Sequence, residues 1–316
     1  MRYVIRADAS LQAGSGHVMR SSALAEELIA RGCEVIFIGV VTGLPWVYKR
    51  ILNLGFSRIL LSESEFFPNP NSDVLIVDSY TLSINDPFLQ ELNWKKIVCI
   101  ADDATPLYRC DLVFHPGIET QWQRGFSATV LSGPKFVPFR ASIKRSNKIL
   151  KKGESPEILI VGGGADAFGF VSAIGNTLQN LELNFQANLI SDQINAFEFD
   201  SRFRVLPPGE ILDQLALSTD LVFTTASTTC LEFIARDIAV GIGCAVENQE
   251  QYYNSLPKHS LAAPIGKYLS GGWVIDETLI AKLVKSDEMR KVLRSKAANL
   301  IDLDGAKRIV DEIQLL

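Results

Sequence analysis

The sequence predicts two α/β domains, each an open parallel sheet with helices on both faces. Three observations carry that expectation. Short apolar runs alternate with helical patterns along the chain. The runs are nearly continuous, as in strands covered on both faces. The alternation breaks once, at 141–156, and then restarts. A length of 316 residues also fits two cores better than one.

Taken in order, the first strand is read at 2–7, from Arg2 through Ala7. A helix over 18–31 follows, with Ala23, Leu24, Leu28 and Ile29 on one apolar stripe and Gly32 at the stop position. Further strands are expected at 34–40, 57–61, 73–78 and 96–101. The stretch 141–156 holds five basic residues but no interleaved aromatic, and reads as a solvated linker. Beyond it, strands at 157–161, 186–190, 220–224 and 238–242 alternate with helices near 167–181, 209–217, 227–236 and 248–256. The last thirty residues read as helical. Domains are therefore drawn at 1–143 and 155–316, with the last helices able to pack back on the first domain.

Composition excludes several classes. Lys plus Arg is 31 against 36 for Asp plus Glu, so the chain lacks the basic field of a nucleic-acid binder. The cysteines (Cys33, Cys99, Cys110, Cys230, Cys244) form no C-x-x-C pair and read as reduced core thiols. No uncharged apolar run is long enough to span a membrane, and the first apolar stretch is too short for a signal peptide. A cytoplasmic location is expected.

In open parallel sheets, ligands collect at the C-terminal ends of strands. The first such loop runs from Ser10 through Gly14-Ser15-Gly16-His17 into a helix. Its glycines let a substrate approach the backbone closely. His17 falls at the helix start, where the positive end of the dipole disfavours the imidazolium, and reads as a neutral general base. A dinucleotide fingerprint fails here, because Met19 occupies the third small position counted from Gly14. His115 and His259 read as structural or merely exposed, and no histidine pair has metal-ligand spacing. Asp78, Asp102 and Asp103 end strands, where a carboxylate can bind sugar hydroxyls, orient a base or anchor a loop. Adjacent Asp102 and Asp103 cannot both point into one site. Asp302-Leu303-Asp304 has D-x-D spacing but lies between terminal helices and reads as a cap.

The second domain opens with a strand and then Gly162-Gly163-Gly164-Ala165-Asp166. A nicotinamide fingerprint is a poor reading, because Asp166 would repel the pyrophosphate and no acid ends the next strand at the required distance. A glycine-rich loop facing a bound sugar nucleotide fits better. Farther on, the strand around Val222 and Phe223 feeds Thr225-Ala226-Ser227-Thr228 and another helix. Amides at that helix start, with the Ser227 and Thr228 hydroxyls, can hold a diphosphate without metal. Glu232 lies on the same face as Thr228, one turn deeper, where it can accept both ribose hydroxyls. Asn248 and Gln249 offer amides suited to sugar hydroxyls or acetamido groups.

At these residues the chain resembles the UDP-sugar hydrolases of pseudaminic acid synthesis, which cleave UDP-2,4-diacetamido-2,4,6-trideoxy-β-L-altropyranose. That family is related to the GT-B transferase that makes peptidoglycan lipid II. The likeness rests on the loop from Asp8 to Arg20, Asp78-x-Tyr80, Asp102-Asp103, Gly-Pro-Lys-Phe at 133–136, Gly162-Gly163, Ser227 to Glu232, and Asn248-Gln249. The chain departs from the family pattern at Gly163-Gly164-Ala165-Asp166, one residue longer, and at Thr228-Thr229-Cys230. The resemblance implies a GT-B-like fold, with two Rossmann-like domains facing a central cleft and UDP on the second. It makes His17 the base and Tyr80 a second catalytic residue, beside the sugar. It adds Asp8, Gly14, Ser15, Gly16, Arg20, Asp78, Asp103 and Gly163 as substrate contacts.

The expected reaction is inverting hydrolysis of a UDP-activated diacetamido-trideoxy sugar, without metal or other cofactor. The partner implied is a UDP-sugar, with no nucleic acid and no membrane span. A glycosyltransferase using the same site is the alternative, and a non-catalytic nucleotide-sugar-binding subunit of polysaccharide assembly is a third.

Overall fold

The sheet-centre strands that the sequence marks as unbroken apolar runs are buried on both faces in the computed structural model. It describes residues 1–79, 82–83, 85–90, 93–102, 110–118, 128–146, 154–164, 166–194, 199–209 and 211–316. The chain divides into two compact units, one comprising Met1–Ala141 with Leu303–Leu316, the other Ser142–Asp302.

The first unit begins with β1 (Arg2–Ala7), β2 (Ala9–Ser10), α1 (Gly16–Ala30), β3 (Glu34–Ile38) and β4 (Val41–Thr42). It continues through α2 (Pro45–Asn53), β5 (Arg58–Leu60), β6 (Asp73–Asp78) and α3 (Pro87–Gln90). β7 (Lys96–Ile100), β8 (Leu112–His115) and β9 (Thr129–Ser132) complete its sheet, in the order β5-β3-β1-β6-β7-β8-β9. All of its strand pairs run parallel.

The second unit holds β10 (Glu157–Val161), α4 (Phe170–Gln179), β11 (Gln186–Ile190), β12 (Phe203–Leu206), α5 (Ile211–Ala216) and β13 (Leu221–Thr225). Then come α6 (Thr228–Ala235), β14 (Ala239–Cys244), α7 (Glu250–Lys258), β15 (Ala263–Leu269), β16 (Gly272–Ile275), α8 (Glu277–Lys285) and α9 (Asp287–Leu300). Its sheet runs β12-β11-β10-β13-β14-β15-β16. The last strand is antiparallel to β15, which departs from the all-parallel expectation. The final helix, α10 (Gly305–Leu315), belongs to the first unit. There Arg31 of the turn after α1 pairs with Asp311 at 2.7 Å and donates to Gln314 at 2.8 Å.

Each sheet reverses its winding at one place, between β1 and β6 in the first unit and between β10 and β13 in the second. Such a switch point opens a crevice at the strand C-termini. The helix after β1 stops as its sequence indicates. Gly32 takes φ +75°, its N–H reaches Ile29 O, and the Cys33 N–H reaches Leu28 O, a Schellman closure. Leu24 and Leu28 of α1 are fully buried, and truncating either to alanine would cost about 2–5 kcal/mol.

The periodicity reading misses the two-residue β2 and β4, and also β8, β9, β12, β15 and β16. β9 exposes three of its four residues, β12 buries one, β15 carries Pro264, and β16 is an edge strand with alternate residues exposed. These four lack the continuous apolar signature of the sheet centre, whereas β8 is buried throughout. No two cysteines are joined in a disulfide, and all but half-buried Cys33 are buried. Asp304 occupies the N-cap position of α10, yet its side chain makes no bond to the helix amides. Among the described residues, no helix is long and apolar enough to cross a membrane.

Candidate functional site

At the switch point of the first unit, one helix face meets one carboxylate. Ser15 is the N-cap of α1, so His17 lies in its first turn. Arg20 and Ser21, three and four residues on, share its face. In the β1–β6 register Ala7 pairs with Asp78, which places that carboxylate at the end of β6, below the start of α1. His17 Nδ1 lies 2.6 Å from Asp78 Oδ1. Arg20 donates from Nε to Asp78 Oδ2 and from Nη2 to Oδ1, both at 2.6 Å, and Ser21 Oγ donates to Oδ2 at 3.2 Å. The other edge of the guanidinium faces Asp102, just past β7, with Nη1 bonded to Oδ1 and Nη2 at 3.0 Å from Oδ2.

Asp78 is entirely buried. Burial opposes its charge, but Arg20 and His17 outweigh that cost and hold the carboxyl below the ordinary range. Burial likewise opposes the charge on Arg20, and the two carboxylates overcome it. An ionised Asp78 accepts a hydrogen bond from the Nδ1–H, so Nε2 is the basic nitrogen of His17. At the end of β8, His115 places Nδ1 2.7 Å from Ala101 O. Burial pushes this histidine below its usual range and keeps it neutral.

The loop before α1 is closed on itself. Ser10 and Gly14 exchange backbone bonds, and Gly14 takes φ +76°, which disfavours any other residue there. Asp8 accepts from the Val40 N–H at 2.8 Å and pairs with Arg6 at 2.7 Å, tying the ends of β1 and β3 together. Tyr80 and Asp103 lie outside the described residues.

The switch point of the second unit is built from backbone and hydroxyls. Gly163, at φ +85°, is packed so that an added Cβ would lie 3.4 Å from Thr225 Oγ1 and 3.9 Å from Ser227 Oγ. The glycine loop after β10 and the hydroxyl turn after β13 therefore adjoin. Two helices start beside them, and they differ. The amides of Phe170 and Val171 at the start of α4 already donate to the Asp166 carboxylate, which occupies the place a dinucleotide pyrophosphate would take. Burial pushes Asp166 up to about 6, against those two amides. Helix α6 has no side-chain cap and no acid in its first turn; Ser227 is its N-cap and Thr228 its first residue. Glu232 lies one turn along from Thr228 and is half-buried. After β14, Gln249 accepts from the Ala245 N–H at 2.8 Å, and Asn248 is exposed.

The structure thus brings His17, Arg20 and Asp78 together, and separately groups Gly163, Ser227 and Thr228. Sequence reasoning left Asp102 without a partner and missed Ser21 and Thr225. The i, i+3, i+4 spacing of His17, Arg20 and Ser21 is the signal that points to a shared target. Among the described residues, no cluster of three or more His, Cys, Asp or Glu side chains could hold a metal ion.

No protein-family model matches the chain. The uncharacterized protein MJ1062 of Methanocaldococcus jannaschii is 24% identical over 288 residues, covering 82% of this chain and 58% of that protein. The chain thus spans little more than half the length of that relative. In structure it is similar to Acinetobacter baumannii MurG, at TM-score 0.68 and 14% identity, with all of both chains covered. Arabidopsis thaliana UGT89C1, solved with UDP-L-rhamnose, matches at TM-score 0.64 and 11% identity, over 94% of this chain and 92% of that one. The spinosyn forosaminyltransferase SpnP matches at TM-score 0.65 and 13% identity, over 99% and 98%. The chain has the GT-B fold, with Rossmann-like units built on parallel sheets.

Proposed function

We propose that the chain is an enzyme acting on a UDP-activated amino sugar, with a diacetamido-trideoxy sugar as the substrate class, and that it transfers the sugar to water with inversion. The observation that carries this reading is the 2.6 Å contact between His17 Nδ1 and buried Asp78 at the first switch point. A carboxylate on Nδ1 fixes the tautomer that makes Nε2 a base. On this reading Nε2 takes a proton from water while the water oxygen bonds to C1. The C1–O bond breaks with its electron pair leaving on the diphosphate. The amides starting α6, with Ser227 and Thr228, receive that diphosphate, and Glu232 takes the ribose. Asn248, Gln249 and Tyr80 are assigned to the sugar. The sequence resemblance supports water as acceptor and a role in nonulosonic acid synthesis.

The test is incubation with a panel of UDP-amino sugars in ¹⁸O-water, followed by NMR before mutarotation. Label in the free sugar and an inverted anomer are expected. Label in UDP would mean attack at phosphorus, and retention would require a covalent intermediate for which this reading has no nucleophile. The similarity to glycosyltransferases favours one further reading, in which a sugar hydroxyl replaces water. Turnover that appears only when an acceptor is added would establish it.

A further inference from the structure

We propose that Arg20 and Asp102 are positioning residues that hold Asp78 for His17, and not contacts for the substrate. The inference rests on His17 being the base, and it follows from counting donors and acceptors. Asp78 receives bonds from His17, from two Arg20 nitrogens and from Ser21. Four donors fill the lone-pair sites of a carboxylate. Being fully buried and saturated, Asp78 has no oxygen left for a sugar. Arg20 is committed in the same way. Its Nε and Nη2 serve Asp78, and its Nη1 and Nη2 serve Asp102. Four of the five guanidinium N–H bonds are thereby directed at carboxylates, and the side chain is buried.

The arrangement has a consequence for proton transfer. Among the described residues, the charged groups beside His17 include Asp78 from β6, Arg20 from its own helix, and Asp102 past β7 through Arg20, with His115 of β8 neutral beyond them. Within this set, with His17 neutral, two carboxylates and one guanidinium leave one net negative charge. Uptake of a proton at Nε2 brings the cluster to neutrality. Asp102 adds negative charge through Arg20, while Arg20 blocks the rotation of Asp78 that would release Nδ1. A guanidinium fork fits this task better than an ammonium, since only a planar group can serve two carboxylates edge-on.

Asp102→Asn, Arg20→Lys and Arg20→Met would be compared with the wild-type full chain. For Asp102→Asn, kcat should fall about ten-fold with KM nearly unchanged, and the acid limb of the kcat/KM profile should move to lower pH. Arg20→Met should lose more, with partial recovery on adding methylguanidine; Arg20→Lys covers the case in which the methionine variant fails to fold. A rise in KM with kcat and the acid limb unchanged would make these residues substrate contacts and overturn the proposal. ¹⁵N NMR of His17 in the free protein requires no turnover, so it separates this inference from the proposed reaction. The Nδ1–H tautomer should dominate in the wild type and become mixed in the Arg20 variants. An unchanged tautomer in both Arg20 variants would overturn the clamp even if the chain hydrolyses UDP-sugars.

Discussion

The two units share one winding and put different chemistry at the same place in it. Both sheets run third-second-first-fourth across their switch point. In the first unit that point holds a buried set of ion pairs around Asp78. In the second it holds glycine backbone, Thr225 and Ser227 hydroxyls and the uncapped start of α6. A strand order creates the crevice, and the residues at the strand ends decide its use. Buried charges with fixed partners suit proton transfer, whereas uncapped amides beside hydroxyls suit a phosphate ester.

The largest effect that could break this division is expected at His17. Replacing it by alanine should lower turnover about 100-fold or more, with UDP affinity by calorimetry nearly intact. Wild-type turnover in a stable His17→Ala protein would remove it as base. The complementary change is Glu232→Ala, which should weaken UDP binding about ten-fold while leaving the His17 tautomer unaltered. UDP should bind equally well in EDTA, and a strict Mg²⁺ or Mn²⁺ requirement would refute the helix-terminus site. Next in size is Gly163→Ala. Left-handed backbone costs an L-residue about 1–2 kcal/mol, so the melting midpoint of the second unit should drop while that of the first stays fixed.

The most modest test is a difference in pH dependence. Asp166 titrates near 6 when folded, above its ordinary 3.8, because burial disfavours its charge. Between those values the unfolded chain has released the proton and the folded chain retains it. The stabilising contribution is therefore present below the ordinary range and lost as pH rises through about 6. Asp78 behaves oppositely. Its folded carboxyl lies below the ordinary range, so its contribution is present at neutral pH and lost only as pH falls through that depressed value. Side-chain ¹³C NMR should show Asp166 titrating well above Asp78, and Asp166→Asn should flatten the stability loss between about pH 4 and 6. Coincident titrations would erase the contrast between the two switch points.

Much of the architecture was legible before any coordinates. Central strands β1, β6, β10 and β13 are unbroken apolar runs, and the helices between them carry stripes and stops such as Gly32. The edge strands β9, β12 and β16 were not legible, because half-exposed residues leave neither a continuous run nor a clean alternation. His17, Ser227 and Thr228 could be nominated because glycine and hydroxyl clusters mark strand-to-helix loops. Asp102 could not be assigned, since its partner Arg20 lies 82 residues away and no local pattern joins them.

By itself the sequence determined the alternation of strands and helices, the residue types at the strand ends and the absence of a dinucleotide fingerprint in the first loop. These are matters of local periodicity and spacing, which a chain carries whether or not it is folded. Only the tertiary structure decided that β1 lies beside β6, and hence that His17 and Arg20 of one helix meet Asp78 from a strand sixty-one residues beyond His17. It also decided that Asp166 closes α4 while α6 stays uncapped. The reason is physical. A buried carboxylate is tolerated only where donors converge on it from several elements, and that convergence follows from strand order and register, which local sequence does not encode.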